Sequence, residues 1–128
     1  MSKKAVATRR DQKRVWQGSK WITARRRLAI YLRDGMTCLL CNKDLHGANV
    51  QDITLDHIVC WIDGGSDSEI NLYTCCRSCN SSRGDKKLSQ VATPEALAII
   101  RRNTRRKLAA YLLTAKGLLD ARATKLEC

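Results

Sequence analysis

The chain has 128 residues, 44% of them apolar and 28% charged, with a formal net charge of +12, which suits one modest soluble domain. It has no run of roughly 18 apolar residues that would cross a membrane, and its basic start, MSKKAVATRRDQKR, lacks the apolar stretch of a secretory signal. With three Trp, three Tyr and no Phe, it predicts a thin core that needs a staple.

Residues 1–19 are polar, basic and without an apolar period, so they read as a flexible arm. From Trp21 to Arg33, the residues Trp21, Ala24, Leu28, Tyr31 and Leu32 recur at helical spacing. Arg25, Arg26 and Arg27 fall largely on the other faces, and Gly35 is the expected stop. Residues 53–62, ITLDHIVCWI, are β-branched and apolar and read as a strand with Asp56 and His57 embedded in it. Asp63-Gly64-Gly65 is a turn signal, and NLYT at 71–74 is a short second strand. A short helix should start near Cys76 and end at about Arg83, before Gly84. Thr93-Pro94-Glu95 opens another, with Thr as cap and Pro where no N–H is required. It is expected to run through most of 94–123, with one stripe through Leu97, Ile100, Thr104, Leu108, Tyr111, Ala115 and Leu118 or Leu119. Three regions follow: the arm 1–19, a core over 20–92 and a basic helical extension over 93–128.

Charge is distributed unevenly. Residues 1–37 carry +9, residues 38–92 carry −2 and residues 93–128 carry +5. A slightly acidic middle between two basic flanks points to a polyanionic partner, nucleic acid rather than membrane. The cationic candidates are Arg25, Arg26 and Arg27, then Arg83, Lys86 and Lys87, then Arg101, Arg102, Arg105 and Arg106 with Lys107. Trp16 and Trp21 are candidates for stacking on bases, although packing is the commoner use of such a residue.

Seven cysteines, an odd number without a secretory signal, argue against a disulfide framework and for the cytoplasm, here that of a bacterial host. Four of them form two C-x-x-C pairs, Cys38/Cys41 and Cys76/Cys79, a spacing that lets thiolates converge on one tetrahedral Zn²⁺. Cys75 is an alternative to Cys76, and His46 a weaker rival ligand. Cys60 and Cys128 read as bystanders. Four thiolates leave no open position on the metal, so this zinc is structural and closes the chain from residue 38 to residue 79.

An ionisable pair inside an apolar strand needs a reason. Neighbouring strand residues face opposite sides, so Asp56 and His57 have separate tasks. Asn71 and Asn80 follow them, and Asn80 directly succeeds Cys79. C-x₂-C, L-D-H-I, G-G, N-L and C-x₂-C-N with a basic residue and Gly behind it occur in that order, at Cys38–Cys41, Leu55–Ile58, Gly64-Gly65, Asn71-Leu72 and Cys76–Gly84. This succession resembles the HNH endonuclease family, in its zinc-stapled phage or prophage form, across about residues 20–90. Asn80 stands where the family often has His, and Cys60 where it often has Pro.

The resemblance implies an α+β fold, a small ββα-metal core stapled by the cysteines and flanked by basic helices. It also implies phosphodiester hydrolysis. Asp56 and Asn80 would offer oxygens to a catalytic Mg²⁺ or Mn²⁺. His57 would take the proton of the attacking water, and the residue matching Asn71 would orient it. Arg83 would hold a phosphate.

The reading that follows is a metal-dependent DNA endonuclease of low sequence specificity, nicking or associated with phage packaging. The alternatives are a non-catalytic zinc module that binds nucleic acid, and an accessory factor of a larger terminase.

Overall fold

The computed structural model describes residues 21–127, and the arm expected over 1–19, with Trp16, lies outside the described residues. Helix α1 spans Ala24–Arg33. Its cap is Thr23, whose hydroxyl accepts the Arg26 N–H, and Gly35 follows it with a left-handed φ of 70°.

Strand β1, Ile53–His57, is shorter than the sequence suggested, because the chain turns into a 3₁₀ segment at Trp61–Asp63. It pairs antiparallel with β2, Leu72–Cys76, in the register Ile53 to Cys76, Asp56 to Tyr73 and His57 to Leu72. Helix α2, Arg77–Arg83, follows directly. Hairpin and helix thus form a ββα unit.

A two-stranded sheet is not stable alone and leaves unpaired edges. Here the outer edge of β2 is occupied by its neighbours. Asp34 accepts the Thr74 N–H at 2.8 Å, Arg33 donates to Leu72 O at 2.7 Å, and Leu39 N–H donates to Thr74 O at 3.1 Å. Arg33 and Asp34 are themselves a buried pair at 2.9 Å.

The C-terminal region departs from expectation. The short helix α3, Leu88–Val91, was not foreseen, and the single helix expected over 94–123 is two: α4, Pro94–Thr104, and α5, Ala109–Glu127. Asn103 donates to Asp34 at 3.2 Å, and the Arg105 and Arg106 N–H groups close turns onto the carbonyls of Arg102 and Asn103. The chain therefore bends, and α5 packs along α1. Ile100, Leu108 and Ala115 are buried in the same core as Ile30, Leu55, Leu72 and Tyr73. The extension is thus part of the body that holds the sheet. Among the described residues, no helix is long and apolar enough to cross a membrane.

Candidate metal centre and active site

The two C-x-x-C pairs meet. The Sγ atoms of Cys38, Cys41, Cys76 and Cys79 all lie within 4.8 Å of one another, and those of Cys41 and Cys76 are 3.9 Å apart. A tetrahedron with Zn–S bonds of roughly 2.3 Å has edges of about 3.8 Å, so the cluster fits one zinc ion. Local structure builds each half. Asn42 takes a left-handed φ of 64°, and its N–H closes onto Cys38 O. The Cys41 N–H reaches Cys38 Sγ at 3.5 Å, and the Cys79 N–H reaches Cys76 Sγ at 3.4 Å. Cys76 is the N-cap of α2, which places its sulfur at the positive end of that helix.

These surroundings separate the thiols. Burial pushes Cys76 up, but hydrogen bonds from the Cys79 N–H and the neighbouring thiols outweigh it and hold Cys76 below the ordinary value. Burial and a Coulombic environment of other sulfurs push Cys79 far up, and burial also raises Cys38. Cys75 does not join the cluster. It is fully buried and paired across the hairpin with Thr54. His46 is exposed and bonded to Asp44 at 2.7 Å, and its two N–H groups hold the Asp44 carboxyl below the usual carboxylate range.

Asp56 and His57 are neighbours at the end of β1 and engage different partners. On the α2 side, Asp56 is fully buried, and its Oδ2 accepts from Tyr73 Oη and from Arg83 Nη1, each at 2.9 Å. Asn80, on α2, lies on this same side and donates through Nδ2 to Thr54 Oγ1 at 2.9 Å. Arg83 also donates to the carbonyls of His57 and Ile58, and Nη2 lies 3.6 Å from Cys60 Sγ. The assignment of Arg83 to a phosphate is therefore corrected. Its side chain is 1% exposed and committed to Asp56, because an inward guanidinium is what neutralises that buried carboxylate.

The His57 ring is 5% exposed, with Nε2 2.7 Å from Asp67 Oδ1 and the Trp21 ring 5.3 Å away. Trp21 is thus packed on the imidazole, with the Arg27 guanidinium 5.6 Å from its centroid. Among the described residues no hydrogen bond joins Asn71 to this ring. Its amide instead ties the following loop, accepting from Val59 N at 2.9 Å and donating to Val59 O at 3.1 Å and Ser66 O at 2.8 Å. The two glycines serve that loop. Gly64 takes a φ of 92°, and a Cβ on Gly65 would lie 1.8 Å from Val59 O. Asp67, the acid actually bonded to His57, was missed. It sits in a polar loop, and only its position behind Gly64-Gly65 sets it apart.

The basic candidates divide. Arg25 donates to Leu112 O, Arg26 to Asp67 O and Glu69, and Arg27 to Tyr31 Oη, so this trio is engaged within the fold. Lys86 and Lys87 are exposed, and so are Arg101, Arg102, Arg105, Arg106 and Lys107 around the bend between α4 and α5.

Residues 38–86 match the family model described as HNH endonuclease. No curated protein and no solved structure matches the chain. The matched segment contains both cysteine pairs, the hairpin with Asp56 and His57, and α2 with Asn80. Residues 38–86 are thus similar to an HNH endonuclease domain, and they fold as a ββα unit beside four cysteines that could hold one metal ion.

Proposed function

We propose that this protein is a metal-dependent DNA endonuclease that hydrolyses phosphodiester bonds, one strand at a time and with little sequence preference. The observation that carries this reading is the placement of Asp56, His57 and Asn80 around one strand, with α2 holding Asn80 two residues along β1 from Asp56. Asp56 and Asn80 offer one anionic and one neutral oxygen donor on the same side of β1, a set suited to a hard divalent cation such as Mg²⁺ or Mn²⁺. Asp56 Oδ1 accepts the His57 N–H at 2.9 Å, while Tyr73 and Arg83 converge on Oδ2. When bound there, the cation supplies Lewis-acid stabilisation of the charge that develops on the phosphate.

The protein's own residues supply the rest. His57 accepts the proton of the attacking water, a role that imidazole fills in many hydrolases. Arg83 and Tyr73 hold the Asp56 carboxylate in one orientation. The exposed cations Lys86, Lys87, Arg101, Arg102, Arg105 and Arg106 bind phosphates, which makes affinity indifferent to sequence. On this reading the partner is DNA in the cytoplasm of a bacterial host. A larger phage terminase is the protein partner that the basic flanks suit.

The test is incubation of supercoiled plasmid with the protein and Mg²⁺, Mn²⁺ or EDTA, read as relaxed and linear products. Relaxed circles with metal and none with EDTA are expected. One feature favours a second reading, a binding module without catalysis: Arg83 already balances the Asp56 charge. DNA binding with no relaxation in either metal would establish that reading and reject the first.

A further inference from the structure

We propose that Asp67 is the positioning residue of His57: its carboxylate holds the proton on Nε2 and thereby makes Nδ1 the basic nitrogen. This rests on the reading of His57 as the base.

The geometry is that of a carboxylate–imidazole dyad. His57 Nε2 and Asp67 Oδ1 are 2.7 Å apart, with the ring 5% and the carboxylate 32% exposed. An ionised carboxylate only accepts, so the neutral ring must present N–H at Nε2. Asp67 is itself fixed. Its carbonyl accepts from Arg26 Nη2 at 3.1 Å, and the same nitrogen lies 3.3 Å from Glu69 Oε1. The loop leading to it is pinned by the Asn71 amide at Val59 and Ser66 and by the close approach of Gly65 to Val59. Trp21 supplies a wall against the ring. The imidazole is thus held by a charge at one nitrogen and by an apolar face, and the charge sits on a loop tied by these hydrogen bonds. Asn71 acts at one remove: it fixes the loop, and the loop fixes Asp67.

An amide at position 67 preserves shape but changes chemistry. Its NH₂ can donate to Nε2, and the proton then moves to Nδ1. In the serine-protease triad the same carboxylate-to-amide change leaves geometry intact and traps the wrong tautomer.

The experiment is nitrogen NMR of ¹⁵N-histidine-labelled protein at a pH where the rings are neutral. The chain has two histidines, so His46→Gln assigns the spectrum. Wild type should show a protonated Nε2 and an unprotonated Nδ1 for His57, and Asp67→Asn should shift the proton toward Nδ1. Plasmid nicking should fall by on the order of 10²–10⁴-fold, the range of a general-base contribution, with zinc content unchanged. Asp67→Glu should restore the wild-type tautomer. A wild-type His57 protonated at Nδ1 would overturn the proposal even if Asp67→Asn failed to fold. So would an Asp67→Asn protein with the wild-type tautomer. The expected NMR pattern in a protein that nicks no plasmid would sustain the Asp67 assignment and reject the nuclease reading.

Discussion

Arg83 Nη1 lies 2.9 Å from Asp56 Oδ2, with both side chains removed from solvent. The last residue of α2 is thereby bonded to the penultimate residue of β1. The same guanidinium donates to the His57 and Ile58 carbonyls, where the strand ends. It therefore joins the two elements that carry Asp56 and Asn80.

Breaking this pair from one side should be costly. Arg83→Met leaves a buried carboxylate without its cation, and losses of about 3–5 kcal/mol are typical of such a change. The double variant Asp56→Asn/Arg83→Met leaves no unmatched charge and should lose less than the single change. Urea denaturation of the three proteins checks this. Equal stability of Arg83→Met and wild type would mean that the pair does not hold α2 to β1.

His57→Ala should abolish plasmid nicking, with zinc content and DNA binding nearly intact, because His57 is remote from the cysteine cluster. The folded protein also protects this ring. The His46 side chain is 67% exposed and that of His57 5%, so diethyl pyrocarbonate should modify His46 first. Peptide mass spectrometry over a time course reads the order. Equal rates would mean that Trp21 does not cover His57 in solution.

The zinc centre should show a pH signature. Without metal, the Cys38 and Cys79 thiols are raised by the fold, so their contribution to stability is present at low pH and lost as pH rises through and beyond the ordinary thiol value. Cys76, held low, has the opposite sign. A bound cation removes the cost of these thiolates. The gain in Tm on adding zinc should therefore grow from pH 6 to pH 9, because zinc needs thiolates and proton competition fades. Thermal melts with and without zinc test the direction. About one zinc per chain is expected for a single tetrahedral site. Cys76→Ser should lower that content and Cys75→Ser should not.

Some of this was legible in the sequence. Thr93-Pro94 marks a helix start because each residue solves a backbone problem locally, and Cys76/Cys79 spacing makes a knuckle wherever a helix begins. Three features were not legible. Arg83 has the company of Lys86 and Lys87 in sequence, which suggests a solvated cluster, and only the position of β1 turns it inward. The bend after Thr104 depends on Asn103 reaching Asp34, 69 residues earlier, whereas the apolar period runs through it unbroken. The His57–Asp67 bond joins a strand to a loop across a ten-residue excursion whose shape the glycines and Asn71 create.

The bend has a consequence for DNA binding. It gathers Arg101, Arg102, Arg105, Arg106 and Lys107 at the junction of α4 and α5, all exposed. Asn103 and Thr104, between them, face inward, so the cations are fixed to a buried anchor. Arg25, Arg26 and Arg27 are engaged within the fold, so this block is the stronger candidate for phosphates. Neutralising Arg101, Arg102, Arg105 and Arg106 together should weaken binding similarly for unrelated duplexes. It should also flatten the dependence of affinity on salt, by about 0.9 in logarithmic slope for each phosphate that the variant no longer neutralises. Stability should hold or rise slightly, because like charges close together repel. Zinc content should not change. Salt titrations of wild type and the quadruple variant decide the matter: superimposable slopes would show that these arginines only solvate the junction, and would move the DNA-binding role to Lys86, Lys87 or the N-terminal residues.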